Sequence, residues 1–167
     1  MKIIQGDFFD IAAEEYFDAL VCTTNMQVKD NGDLVMGKGI AKAFAERFPK
    51  LPSRFGKRLK EGRHLNGVMA EFNSQYLKMC EPFYTERYLI SLPTKIHWKH
   101  PSDIALVKRS VKILRGMVDI MNWSKILVPP PGCGNGGLGW PDVRETIEPL
   151  LDDRFHIVLR DKNEQGK

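Results

Sequence analysis

Cysteine is scarce in this chain. Three thiols in 167 residues (Cys22, Cys80 and Cys133), odd in number and without a C-x-x-C pair, argue against both a disulfide framework and a thiolate zinc site. Long apolar runs are missing as well: none approaches the roughly 18 to 20 residues that cross a bilayer. The opening Met1-Lys2-Ile3-Ile4-Gln5-Gly6-Asp7 breaks too early for a signal peptide. A cytoplasmic protein with no membrane contact is the expectation. There is no internal repeat, no low-complexity tract and no dividing linker. The Walker pattern G-x-x-x-x-G-K-[ST] fails because Gly39, not Ser or Thr, follows Gly37-Lys38. His97-x-x-His100 lacks a third ligand at metal spacing, so neither a metal nor a cofactor is expected.

What the chain does have is a globular composition, with 43% apolar and 28% charged residues. A domain of this length buries roughly 70% of its unfolded surface, which excludes a disordered tail. Apolar periodicity alternates between two and 3.6 residues along the sequence. Strands are expected at Lys2 to Gln5, Asp18 to Thr23, Gly67 to Phe72, Arg87 to Leu92, Lys125 to Val128 and His156 to Leu159. Helices are expected at Gly39 to Phe48, stopped by Pro49, and at Lys50 to Gly62. Ile104, Val107, Val111, Leu114, Val118 and Met121 form one stripe of a long helix after Pro101-Ser102, and a last helix opens at Pro141 and runs to Leu151. Asn73 to Glu86 reads as loop. Alternation of this kind requires crossovers, so a three-layer α/β/α sandwich with a mixed central sheet is predicted. Ligands bind such sheets outside the carboxyl ends of their strands.

Two glycine loops stand at that position. Leu34-Val35-Met36-Gly37-Lys38-Gly39-Ile40 follows a buried strand and opens a helix, whose first-turn amides favour an anion. Pro131-Gly132-Cys133-Gly134-Asn135-Gly136-Gly137-Leu138-Gly139-Trp140 does the same, with five glycines in the eight residues from Gly132 to Gly139. Glycine carries a high backbone entropy cost, so a nest of N–H groups for phosphate explains this density better than a bare turn does. Two such loops on one sheet edge can flank a ligand with two phosphates. Gly132-x-Gly134-x-x-Gly137 matches the dinucleotide fingerprint formally. Pro129-Pro130-Pro131 nevertheless interrupts its entry, and the thirty residues after Gly137 are too few for the rest of a nucleotide-binding half.

Over residues 1 to about 160 these motifs resemble the macrodomain family of ADP-ribose-binding α/β/α modules, leaving 161–167 as a polar tail. The matching segments are Gln5-Gly6-Asp7, Val21-Cys22-Thr23-Thr24-Asn25, Val35-Met36-Gly37-Lys38-Gly39-Ile40-Ala41 and Pro131 to Leu138. Met36 to Ala41 together with Leu92-Pro93-Thr94-Lys95-Ile96-His97-Trp98 is most similar to the branch holding the DarG-type DNA ADP-ribosyl glycohydrolases and the terminal ADP-ribose protein glycohydrolases. The resemblance implies that Asp7 accepts a hydrogen bond from the adenine amino group beside the Phe8 backbone, and that Asn25 binds the distal ribose. Gly37, Gly39 and Ile40 would meet the diphosphate from one side, with Met36 and Lys38 among the ligand-binding residues, and Gly132, Cys133, Gly134, Asn135, Gly136, Gly137 and Leu138 from the other. Read without the family, Asp7 is a helix or turn cap and Asn25 an Asx turn.

Lys95 matches the branch's catalytic lysine, which attacks the anomeric carbon of the distal ribose. A nucleophilic amine must be deprotonated, against a reference pKa of about 10.4. A charged Lys95 would instead stabilise the leaving group. Protein-directed members carry an aspartate where this chain has Gly136, so the implied substrate is thymidine-linked ADP-ribose on DNA rather than protein. A non-catalytic ADP-ribose reader and an ADP-ribose 1''-phosphate phosphatase are the alternatives. Asp30 and Asp33 sit in an expected Asn-Gly turn.

Charge is unevenly placed although the net is only +4. Arg47 to Arg63 holds seven basic residues against Glu61, and Lys95 to Arg115 holds six against Asp103. Single-stranded DNA is therefore a candidate partner of an expected monomer, with Trp98, Tyr84 and Tyr88 as candidate base-stacking residues.

Overall fold

The computed structural model describes residues 1–73 and 87–160; Cys80, Tyr84, most of the expected Asn73 to Glu86 loop and the 161–167 tail lie outside them. The chain runs β1 (Lys2–Gln5), α1 (Phe8–Glu14), β2 (Ala19–Thr24), α2 (Gly39–Arg47), α3 (Leu51–Lys60), β3 (Met69–Asn73), β4 (Arg87–Pro93), α4 (Ile104–Met121), β5 (Ile126–Val128), α5 (Trp140–Ile147) and β6 (Phe155–Leu159). The strands form one sheet in the order β1-β6-β5-β2-β4-β3. Every pairing is parallel except β3 with β4. The expected mixed sheet is therefore what forms.

Two apolar cores enclose this sheet. Leu20, Cys22, Leu89 and Leu127 face a core with Phe8, Phe9 and Ala12 of α1, Ala41 and Phe44 of α2, and Leu51 and Phe55 of α3. Ala19, Val21, Ile90, Ile126 and Val128 face the other, with Val107, Val111, Leu114 and Val118 of α4 and Val143 and Ile147 of α5. Alternate residues of β2 thus enter opposite layers, and a buried side chain of this size stabilises by about 1.5 to 3 kcal/mol. No helix of the described residues is long and apolar enough to cross a membrane.

One helix had no counterpart in the periodicity. Helix α1 has seven residues, three of them buried, and is held by ring contacts: Phe8 and Phe9 lie 5.7 and 5.0 Å from the Phe44 centroid. The expected Pro141 to Leu151 helix ends at Ile147, where a 3₁₀ turn (Glu148–Leu150) containing Pro149 takes over. Strand β3 starts at Met69 rather than Gly67, because Leu65 and Val68 close a turn through paired backbone hydrogen bonds.

Sheet order and helix placement together define a crevice. Neighbouring strands β5 and β2 send their following helices to opposite faces, α5 to one and α2 to the other. A switch of this kind opens a gap outside the carboxyl ends of the two strands.

Candidate active site

The loops after β1, β2, β4 and β5 all leave the same sheet edge, because these strands run parallel to one another. Those loops carry Asp7, Asn25 with the first glycine loop, Lys95, and the second glycine loop. Across the edge, β1 lies three strands from β2 and four from β4. At about 4.8 Å per strand the site spans roughly 14 to 19 Å. A ligand filling it is long, with its middle at the β5–β2 crevice.

The two glycine loops meet over that crevice. Gly39 has φ +56°, and a Cβ built on it would lie 2.8 Å from Nδ2 of Asn135. The positive φ is what favours glycine here. Asn135 is exposed and makes no hydrogen bond to a described residue, so its side chain can swing aside at little cost. Lys38 precedes α2 without a side-chain cap bond, and the first turn of α2 holds no acid. Its leading amides are therefore available to an anion.

The second loop is held from below by Ser102. The Ser102 amide donates to the Gly136 carbonyl (2.9 Å), and its hydroxyl donates to Thr94 Oγ1 (2.9 Å). A Cβ on buried Gly136 would come within 2.1 Å of Ser102 Oγ and 2.5 Å of the Gly132 carbonyl oxygen. Position 136 thus admits no side chain. The Thr94 amide donates to the Thr24 carbonyl (3.0 Å), and the Thr94 carbonyl accepts from Asp103 N (2.9 Å). Half-buried Lys95 is anchored through this knot to the β2 end and to the second glycine loop. Ser102 carries no sequence signal for this role, since its partners are eight and thirty-four positions away.

Asp7 caps α1. Its Oδ1 accepts from Phe9 N (2.8 Å) and Asp10 N (3.1 Å), while Oδ2 accepts nothing from the described residues. The Phe8 N–H of the same turn is also left without a described partner. An acceptor and a donor therefore lie side by side at the β1 end, the pair that an aminopurine edge requires. Asp7→Ala should lower the melting temperature by about 2 to 4 °C through loss of the cap. Any ligand that donates to Asp7 Oδ2 should also bind more weakly, by about tenfold or more, through loss of a charge-assisted bond. Thermal melts and calorimetry check the two effects separately.

Asn25 is buried and serves as a brace. Its Oδ1 accepts from Gln27 N (2.9 Å) and its Nδ2 donates to the Val35 carbonyl (2.9 Å), which fixes the loop that ends in Met36-Gly37. Asn31-Gly32 is a turn, with Gly32 at φ +94° and Asp33 N bonded to Asn31 Oδ1. Tyr88 stands at the far end of β4, packed between Phe72 (5.2 Å) and Trp123 (4.8 Å), away from Lys95. Burial pushes the thiol of Cys133 up to about 11, which leaves it protonated and unreactive at neutral pH. Two grooves of about 350 and 310 Å³ lie elsewhere, one by Met117, Met121 and Trp123, the other by Lys57 and Lys60. Among the described residues no three His, Cys, Asp or Glu side chains cluster as a metal site.

A family model described as the Macro domain matches residues 30–147. The chain belongs to the macrodomain family. This macrodomain is similar to a protein of Thermus aquaticus named DNA ADP-ribosyl glycohydrolase, 31% identical over 152 residues, 91% of this chain and 38% of that one. It spans about a third of the length of the curated relatives it matches. Among solved structures it resembles the macrodomain of Thermus aquaticus DarG, with TM-score 0.72 and 29% identity over 96% of this chain and 97% of that one. The macrodomain of Mycobacterium tuberculosis DarG is similar at TM-score 0.73 and 30% identity, covering 94% and 95% of the two chains.

Proposed function

We propose that residues 1 to 160 form a macrodomain that binds ADP-ribose along the sheet edge and hydrolyses the glycosidic bond joining it to DNA, thymidine-linked, in preference to protein. The observation that carries this reading is the approach of Gly39 and Asn135 over the switch crevice, with Lys95 anchored one strand away. Adenine sits at Asp7 and Phe8. The diphosphate lies between Gly37 to Ile40 and Gly132 to Leu138, where uncapped amides oppose its charge. Asn25 and Met36 shape the floor under the distal ribose. Lys95 faces the anomeric carbon, as nucleophile or as the positive charge beside the departing group.

Relatives 31 to 34% identical are named DNA ADP-ribosyl glycohydrolases, which supports DNA as the substrate class. The filled space at Gly136 supports it too, since no carboxylate can stand there. The protein acts as a monomer in the cytoplasm, where Cys22 and Cys133 remain free thiols.

A panel of conjugates tests this reading: ADP-ribosylated thymidine oligonucleotide, glutamate- and serine-linked peptides, and ADP-ribose 1''-phosphate. Free ADP-ribose should appear first and fastest from the oligonucleotide. Binding without product on any conjugate would make the protein a reader. Inorganic phosphate from the 1''-phosphate alone would make it a phosphatase.

A further inference from the structure

The segment after Lys95 is a short, stiff strap with its large side chains turned outward. Its ends are tied where Asp103 N meets the Thr94 carbonyl and Ser102 Oγ meets Thr94 Oγ1. Inside the strap, Met26 N donates to the Ile96 carbonyl (2.9 Å), His100 N to the His97 carbonyl (3.1 Å) and Lys99 N to His97 Nδ1 (3.2 Å). Compact loops with closed ends are frequently functional. A strap held this way could have folded its apolar residues inward, yet Ile96 is 63% and Trp98 44% exposed. The Trp98 ring lies near-parallel to His97, with centroids 5.8 Å apart and planes at 23°, and Lys99 Nζ stands 5.2 Å from its centroid.

Positive charge continues from this aromatic step. Lys108, Arg109 and Lys112 are exposed on α4, the helix into which the strap leads, and none of the three pairs with an acid among the described residues. Asp103, the acid between Lys95 and Arg115, is occupied capping α4 through Ala105 N (2.8 Å). An exposed flat ring with Lys99 beside it, leading into a helix whose Lys108, Arg109 and Lys112 have no acid partner among the described residues, is a pattern that stacks an unpaired base and follows its phosphates. An acidic peptide would use the cations and leave the tryptophan face idle. A duplex hides its base faces.

We infer that the Ile96–His100 strap and the adjoining face of α4 form a docking platform for the single-stranded polynucleotide that flanks the modified nucleotide, with Trp98 stacking a neighbouring base. The platform rests on the glycohydrolase reading for its orientation toward Lys95, and it adds the strand itself to what is recognised. The enzyme would then read two things, the ADP-ribose in the crevice and the chain that carries it.

Comparing kcat/KM on an ADP-ribosylated thymidine mononucleotide and on an ADP-ribosylated single-stranded oligonucleotide tests the platform. Wild type should prefer the oligonucleotide by about tenfold or more, in the range that stacking of one base supplies. Trp98→Ala should erase most of that preference and leave mononucleotide turnover unchanged, while Trp98→Phe keeps most of it. Replacing Lys99, Lys108 and Lys112 together by Gln should flatten the salt dependence on the oligonucleotide, by about 0.7 in log-log slope for each phosphate that is no longer neutralised. Equal kcat/KM on both substrates for wild type, or an equal fall on both in Trp98→Ala, overturns the platform. If neither conjugate is hydrolysed, the glycohydrolase reading fails by itself. Fluorescence anisotropy with unmodified single-stranded DNA then decides the platform: salt-sensitive binding weakened in Trp98→Ala supports it, and no binding overturns it.

Discussion

Gly136→Asp should cost this protein both stability and its ligand. The new Cβ alone meets Ser102 Oγ at 2.1 Å, Ser102 Cβ at 2.7 Å and the Gly132 carbonyl oxygen at 2.5 Å. A hydroxyl can rotate, but Cβ and the carbonyl belong to less yielding structure, so the loop itself must move. Overpacking of this kind costs about 1 to 3 kcal/mol, and about 2 to 4 °C of melting temperature per kcal/mol for a chain of this size. Burial of a carboxylate inside this tightly packed loop adds to that. Displacement of catalytic groups by about 1 Å costs on the order of 10²-fold in rate, and comparable losses in turnover of ADP-ribosylated DNA are expected. The substitution should not confer activity on protein conjugates, even though it installs the residue that protein-directed members carry, because Ser102 occupies the space that residue needs. Gly136→Ala separates the causes: steric displacement predicts that it shares most of the stability loss, whereas a purely electrostatic effect predicts near wild-type behaviour.

Lys95→Ala should abolish release of ADP-ribose from thymidine conjugates, by about 10²-fold or more, and leave ADP-ribose binding intact. Its position explains the separation. Lys95 lies past the β4 end while the two glycine loops proposed to hold the diphosphate belong to β2 and β5, and Thr94 and Ser102, not Lys95, hold the backbone in place. Removing a transition-state interaction lowers kcat without raising KM. Lys95→Arg tells the two roles apart: a guanidinium keeps the charge but is a poor nucleophile, so an electrostatic role survives the change and a covalent role does not. Unchanged turnover in Lys95→Ala would remove the residue from the mechanism.

Much of this architecture is legible in the residues alone. Helix α4 spans Ile104–Met121, the range its apolar stripe marks, because eighteen residues at one period leave little ambiguity. Helix α1 is not legible in that way: Phe8-Phe9-Asp10-Ile11-Ala12-Ala13-Glu14 is two turns long and too apolar to show a stripe. The Asp7-x-x-Asp10 spacing, a cap with an acid at the third helical position, is its one local sign.

The site divides in the same way. Glycine density marks both loops, since positive φ at Gly39, Gly132 and Gly137 leaves a residue-type trace. Their meeting depends on the β5–β2 neighbourhood, a long-range fact no local pattern encodes. The readings of Asp7 and Asn25 as caps and turns hold in the structure, and neither excludes a ligand role, because Asp7 Oδ2 and the second Asn25 amide hydrogen remain uncommitted among the described residues. Ser102 is invisible in the sequence because its importance lies in what it prevents at Gly136.

Calorimetric titration with ADP-ribose tests the convergence of the two glycine loops most directly, in wild type and in Gly39→Val and Gly137→Val taken one at a time. One molecule should bind per chain with micromolar affinity, and a change in either loop should weaken it by about tenfold or more. Absence of heat and of any thermal shift in wild type, or a loss from only one of the two loops, would contradict the shared diphosphate site.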